Sequence, residues 1–251
     1  MIELTASELL KMRTTRAPWV VAGLLAAAAV ALATLNASLA GSQGTAPLQP
    51  DSLPSFIRAP GQIVGFGMLL LGVISTTAEF RHRTAVTTFL AEPRRGRVLA
   101  AKGLALATVA AVVAAIAAML SLLAAAVFFQ AREVAFRPTQ YGAPAALVGL
   151  LIAVVLAAVL GVALGALLQN TAAALTTALG WTFVIEGLLP VVTRNPDLIR
   201  WLPGGAFSAT QAMGTSSSDA LLAPPVAVSL LALYVAAVGL AGFVLVRRRE
   251  L

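Results

Sequence analysis

Six stretches of this chain are each long and apolar enough to cross a lipid bilayer, at 18–40, 61–78, 103–129, 145–168, 171–192 and 224–246. A helix needs about 20 mainly apolar residues to span the ~30 Å hydrocarbon layer. In that layer no water satisfies the backbone, so such a span must form its own hydrogen bonds as a helix. The sequence therefore predicts an all-α integral membrane protein with six transmembrane helices in a single domain, 1–251. Composition agrees: 59% of residues are hydrophobic and 11% charged, where soluble domains carry about 25% charged.

The segments between the runs have their own character. At 1–17, Thr5-Ala-Ser-Glu8 reads as a capping box opening a helix, with Ile2, Leu9 and Met12 on or near one face and Lys11 on another. It is predicted to lie in the membrane interface. Ser38-Leu39-Ala40 resembles a signal-peptidase site, but the apolar run before it exceeds the ~7–15 residues of a signal peptide, so an uncleaved span is expected. Residues 41–60, with Pro47, Pro50, Pro54 and Pro60, read as a loop. Gly61-Gln-Ile-Val-Gly65 and Gly161-Val-Ala-Leu-Gly165 are small-xxx-small patterns that let helices approach closely. The run 103–129 would reach roughly 40 Å, so it must tilt or project from the bilayer. Gln169-Asn170 reads as a tight polar turn, and Gly180, Glu186 and Pro190 as interruptions of the fifth span. Residues 193–223 read as an outer re-entrant loop with short helices at the membrane surface.

One densely charged island, 79–102, separates the second and third spans. Residues 84–90 can make two helical turns that gather Val86, Phe89 and Leu90 on one side, and Pro93 should end them. Arg94, Arg95 and Arg97 follow as a basic run. Two readings fit: a short amphipathic helix offered to a soluble partner, or a positive loop that only fixes topology. Six spans place both termini on one side. With that side in the cytosol, Lys11, Arg13, Arg16, the island's Arg81, Arg83, Arg94, Arg95, Arg97 and Lys102, and Arg247, Arg248 and Arg249 lie inside. Arg58, Arg132, Arg137, Arg194 and Arg200 lie outside, so the excess is on the expected side.

That distribution also argues against nucleic acid as a partner, despite the net charge of +7. With no cysteine and one histidine, His82, outside the spans, the chain offers no thiolate chemistry and no intramembrane metalloprotease motif. It has no GxxxxGK[ST] loop to cradle ATP phosphates. Ion-coupled carriers place several ionisable groups inside their spans, and Glu186 is the one clear candidate. It lies about 22 Å along a helix from Thr171, where it could cap a re-entrant turn or touch substrate.

The island resembles that of permease subunits of type-2 ABC exporters, on Glu79, Arg81, Thr84, the 86–90 segment, Pro93, Arg94, Arg95, Arg97 and Lys102. Leu202-Pro203 matches a turn often found in that family's outer loop, and Arg83 stands where a glycine is common. The resemblance implies an N-terminal interfacial helix and a cytosolic coupling helix docked on a separate ATPase. Glu79, Arg81, Arg83, Thr84, Val86, Thr87, Phe89, Leu90, Pro93, Arg94, Arg95, Arg97 and Lys102 would then serve coupling. Trp181, Glu186 and Pro203 would belong to the substrate path or outer gate. Two ATPase subunits carrying ATP and Mg, a second permease copy or paralogue, and membrane lipid are the implied partners, in a bacterial inner membrane. This chain itself would hold no cofactor and be no enzyme. The alanine, leucine and valine of the spans favour an amphipathic cargo, such as a drug, natural product or lipid. An ion-coupled carrier and a non-transporting structural or sensor protein are the rival readings.

Overall fold

The structure, a computed structural model, describes residues 1–41, 47–81, 94–140, 142–214 and 222–248. Among these residues the chain is helical throughout, with no strand. Its helices are α1 (Ile2–Thr14), α2 (Arg16–Leu39), α3 (Leu53–Arg81), α4 (Arg95–Ala131), α5 (Ala143–Leu168), α6 (Thr171–Leu179), α7 (Glu186–Thr193), α8 (Pro203–Gln211) and α9 (Pro224–Arg248). Six stretches are long and apolar enough to cross a membrane: Pro18–Leu39, Pro50–Arg81, Gly96–Ala131, Ala143–Leu168, Thr171–Thr193 and Pro224–Val246. The protein is thus a multi-pass membrane protein by length and composition.

Helices α3, α4 and α5 form the buried middle, while α2, the 171–193 stretch and α9 are largely exposed at its edges. The α3–α5 seam is the most extensive helix pairing among the described residues, and glycine lets the two backbones come close. A Cβ at Gly161 would overlap the Leu69 carbonyl oxygen, and one at Gly72 would stand 2.5 Å from the Ala158 oxygen. A Cβ at Gly165 would stand 2.9 Å from the Thr76 Cβ. Small residues let two membrane helices gain dispersion contact where lipid offers no hydrophobic drive. The 61–65 pattern does something else: its glycines leave room for side chains, Gln211 and Leu150 at Gly61 and Phe207 at Gly65. Where the start of α3 meets the end of α4, Phe56 packs edge to face on Phe129 and Phe129 on Phe136, with centroids 5.8 and 5.9 Å apart.

Four sequence expectations need correction. The segment before Gly61 is not a loop to residue 60: a 3-10 turn at Pro50–Ser52, boxed by Gln49 and Ser52, leads into α3 at Leu53. Pro54 sits in the first turn, where its missing N–H costs nothing. Pro60 lies inside the helix and is buried, as membrane helices tolerate. Second, the third span starts at Arg95 rather than 103. Val98, Ala101, Lys102 and Ala105 are buried, and packing against α1 keeps these early turns helical. Arg95, Arg97 and Lys102 therefore belong to α4 and not to a loop.

Third, Thr5 does not open α1. The helix begins at Ile2, and the Thr5 hydroxyl donates to the Met1 carbonyl at 3.0 Å. The buried side of α1 is Glu8 and Met12, while Ile2 is exposed. Fourth, the fifth span is continuous from Thr171 to Thr193. Gly180 to Ile185 widens into a π-helical turn instead of breaking, and Pro190 stays inside α7. The Gln169–Asn170 turn has the form expected. Gln169 is left-handed (φ 53°), and the Asn170 side chain accepts from the Ala173 amide at 3.0 Å to cap α6.

Candidate functional site

Two polar constructions interrupt the apolar bundle, one at the roots of the charged island and one where the fifth span meets α8. The first joins three helices. The Lys102 ammonium, on α4, donates to Glu8 Oε2 of α1 at 2.7 Å and to Glu79 Oε1 of α3 at 2.9 Å. Lys11 donates to Glu8 Oε1 at 2.5 Å and to Glu79 Oε1 at 3.2 Å. Two cations and two carboxylates thus close a neutral ring. Lys102 and Glu8 are each only 4% exposed, so their charges survive burial because each has a partner of opposite sign.

Burial pushes the Glu8 carboxyl up, but the charge and hydrogen bond of Lys102, with Lys11 adding, outweigh it and hold the group below its ordinary 4.5. Burial likewise lowers Lys11. The bond from Glu8 and the charges of Glu79 and Glu8 more than offset it, raising the ammonium above its ordinary 10.5.

The ring pins both roots of the island. Glu79 lies two residues before the end of α3, and Lys102 two turns into α4. Arg81, Arg94 and Arg97 are exposed around it. Arg94 is the N-cap of α4, where its carbonyl accepts from the Arg97 amide at 2.8 Å. Arg95 stands in the first turn of α4. Arg83, Thr84, Val86, Thr87, Phe89, Leu90 and Pro93, with the coupling helix expected there, lie outside the described residues. Sequence reasoning found Glu79 and Lys102 and missed Glu8 and Lys11. A signal was present: Lys11 and Lys102 are the only lysines in the chain, and Glu8 sits three residues before Lys11, a helical ion-pair spacing.

The second construction joins Trp181 and Glu186 to Gly204, the residue after Pro203. In an α-helix, residues five apart do not face each other. The π turn changes this: the Glu186 amide bonds back to the Trp181 carbonyl, and the indole N–H of Trp181 donates to Glu186 Oε1 at 2.8 Å. π turns recur at functional positions. The same oxygen accepts the Gly204 amide at 2.9 Å. Gly204 follows Pro203, the first residue of α8. Glu186 therefore caps the N-terminus of α8, satisfying an orphan donor. A Cβ at Gly204 would overlap Glu186 Oε2, so a side chain there would displace the carboxyl group. That group is 9% exposed, and its hydrogen-bond donors among the described residues are neutral.

Between α3, α8 and the fifth span runs a mixed surface. Phe66 meets Phe183 edge to face at 5.4 Å, and Gln62 donates to the Ser208 hydroxyl at 3.0 Å. Gln211, fully buried at the end of α8, finds no hydrogen-bond partner among the described residues for either side-chain polar atom. Among the described residues no cluster of His, Asp or Glu could hold a metal ion. Comparison with models of known protein families and with curated proteins finds no match.

Proposed function

We propose that the chain is the membrane-spanning subunit of an ATP-driven exporter, coupled through residues 82–93 to a separate ATPase and moving an amphipathic compound outward. The observation that supports this best is the four-charge ring at the roots of the island. A loop that only fixed topology would need basic residues at the membrane surface and nothing more. Here the two ends of the loop are tied to each other and to α1 by buried ion pairs, so a push on the loop would be passed to α1, α3 and α4 together. The exposed Arg81, Arg94 and Arg97 would face the acidic or polar rim of the partner.

Trp181, Glu186 and Pro203 would form the outer gate, with Glu186 holding α8 in place. Such a subunit would work as one of two copies or paralogues, with two ATPase subunits carrying ATP and Mg. Purification of the tagged chain in mild detergent tests the reading. A P-loop ATPase is expected to co-purify, and exchange of Arg94 and Arg95 for glutamate should deplete it. Recovery of the chain with no ATPase, together with transport that follows an ion gradient, would overturn it.

A further inference from the structure

A hollow between α4 and α5 plays no part in the reading above. The α4 residues that face it recur at 115, 118, 119, 122, 123 and 126, the spacing of one helix face. Ala115, Ala118 and Ala126 keep its floor low, while Leu147 and Leu151, one turn apart on α5, form a wall. The groove has a volume of about 460 Å³, within the ~300–1,000 Å³ of small-molecule sites. From Ala115 to Ala126 it follows the helix axis for roughly 17 Å, about half of the ~30 Å hydrocarbon layer. It is therefore one leaflet long and apolar along its length.

Its rim is set by Phe136 and Pro138 from the segment joining α4 to α5. Arg137 lies between those two residues. Its exposed guanidinium donates to Gln140 Oε1, a neutral acceptor, at 3.2 Å. No carboxylate among the described residues lies within ion-pair distance of it. Nearby Arg132 is committed to the Ala40 carbonyl at 2.5 Å. A cation with no ion-pair partner among the described residues thus stands at the mouth of an apolar trough of leaflet depth.

We infer that this groove binds a phospholipid with an anionic headgroup, one acyl chain lying along α4 and the phosphate at Arg137. The planar fork of a guanidinium suits phosphate oxygens, and the alanine floor suits a flexible hydrocarbon chain. The site is separate from the Glu186 region and does not depend on the exporter reading.

Photolabelling of the full chain in phosphatidylcholine vesicles tests it. In one set the photoreactive lipid is phosphatidylglycerol, in the other phosphatidylcholine, each with the reactive group midway along an acyl chain. Labels are expected to concentrate on residues 115–126 and 147–151, with phosphatidylglycerol favoured about fivefold, the effect of one basic side chain on an anionic lipid. Arg137→Gln should abolish that preference. Ala126→Phe, at a part-buried position, should remove the groove labels and leave those elsewhere. Even labelling over the exposed faces of α2 and α9, equal groove labelling by both lipids, or cross-linking of the groove to a second copy would each overturn the inference. If Ala126→Phe does not fold, the headgroup preference and its loss in Arg137→Gln decide the matter.

Discussion

At the roots of the charged island, Glu8 and Glu79 meet two lysines; where the fifth span meets α8, Glu186 meets an indole N–H and a backbone amide. The first arrangement is stiff. Its core is the buried Lys102–Glu8 pair, so removing either member strands a buried charge. The second is held by neutral donors, and each bond lost costs little more than the bond itself. One end of the bundle is thus tied by buried ion pairs and the other by neutral hydrogen bonds.

Breaking the anchor should have the largest effect. Lys102→Met removes the buried cation from beside the buried Glu8 carboxylate and should destabilise the protein by about 3–5 kcal/mol, read as a fall in thermal midpoint in detergent. Adding Glu8→Gln to that variant should recover part of the loss. A Lys102→Met protein as stable as the parent would mean that the ring anchors nothing.

Gly204→Ala sharpens the contrast from the other side. Alanine normally stabilises a helix over glycine by roughly 0.5–1 kcal/mol, and Gly180→Ala, with no neighbour near its Cβ, should follow that rule. At Gly204 the sign should reverse, with a cost of about 1–3 kcal/mol from overlap with Glu186. Glu186→Gln should cost less, about 0.5–1 kcal/mol, because the amide oxygen can still accept from Trp181 and Gly204. Equal losses from Lys102→Met and Glu186→Gln would erase the distinction between the two ends.

The pH dependence is the finest test. Glu8 sits below its ordinary 4.5, so its contribution is present above that pH and lost as pH falls through the lowered value. Lys11 sits above its ordinary 10.5, so its contribution is present below that pH and lost as pH rises through the raised value. Thermal midpoints should therefore drop on the acid side, and Glu8→Gln should flatten that limb.

Much of the architecture was legible because length and apolarity alone demand membrane helices. Boundaries were less so. Pro54 and Pro60 looked like loop residues, yet one sits in a first turn and the other in a helix supported by its neighbours. The early start of α4 depends on α1 covering Val98 and Ala101, a contact no local pattern announces. Glu186 was singled out because an acid is conspicuous in an apolar run, and Pro203 because Leu202-Pro203 matches a turn of the resembled family. The bond between Trp181 and Glu186 rests on a π turn, which helical periodicity does not foresee. Glu8 was misread because a threonine three residues before a glutamate looks like a cap, while its true partner lies 94 residues away.

The exporter account meets its most direct test in cells, with a photoreactive amino acid placed at Thr87 or Phe89. The account predicts a cross-link to a P-loop ATPase that weakens when Lys102→Met loosens the roots of the loop. Cross-links to lipid or to the chain itself alone, with no nucleotide hydrolase captured from either position, would contradict it.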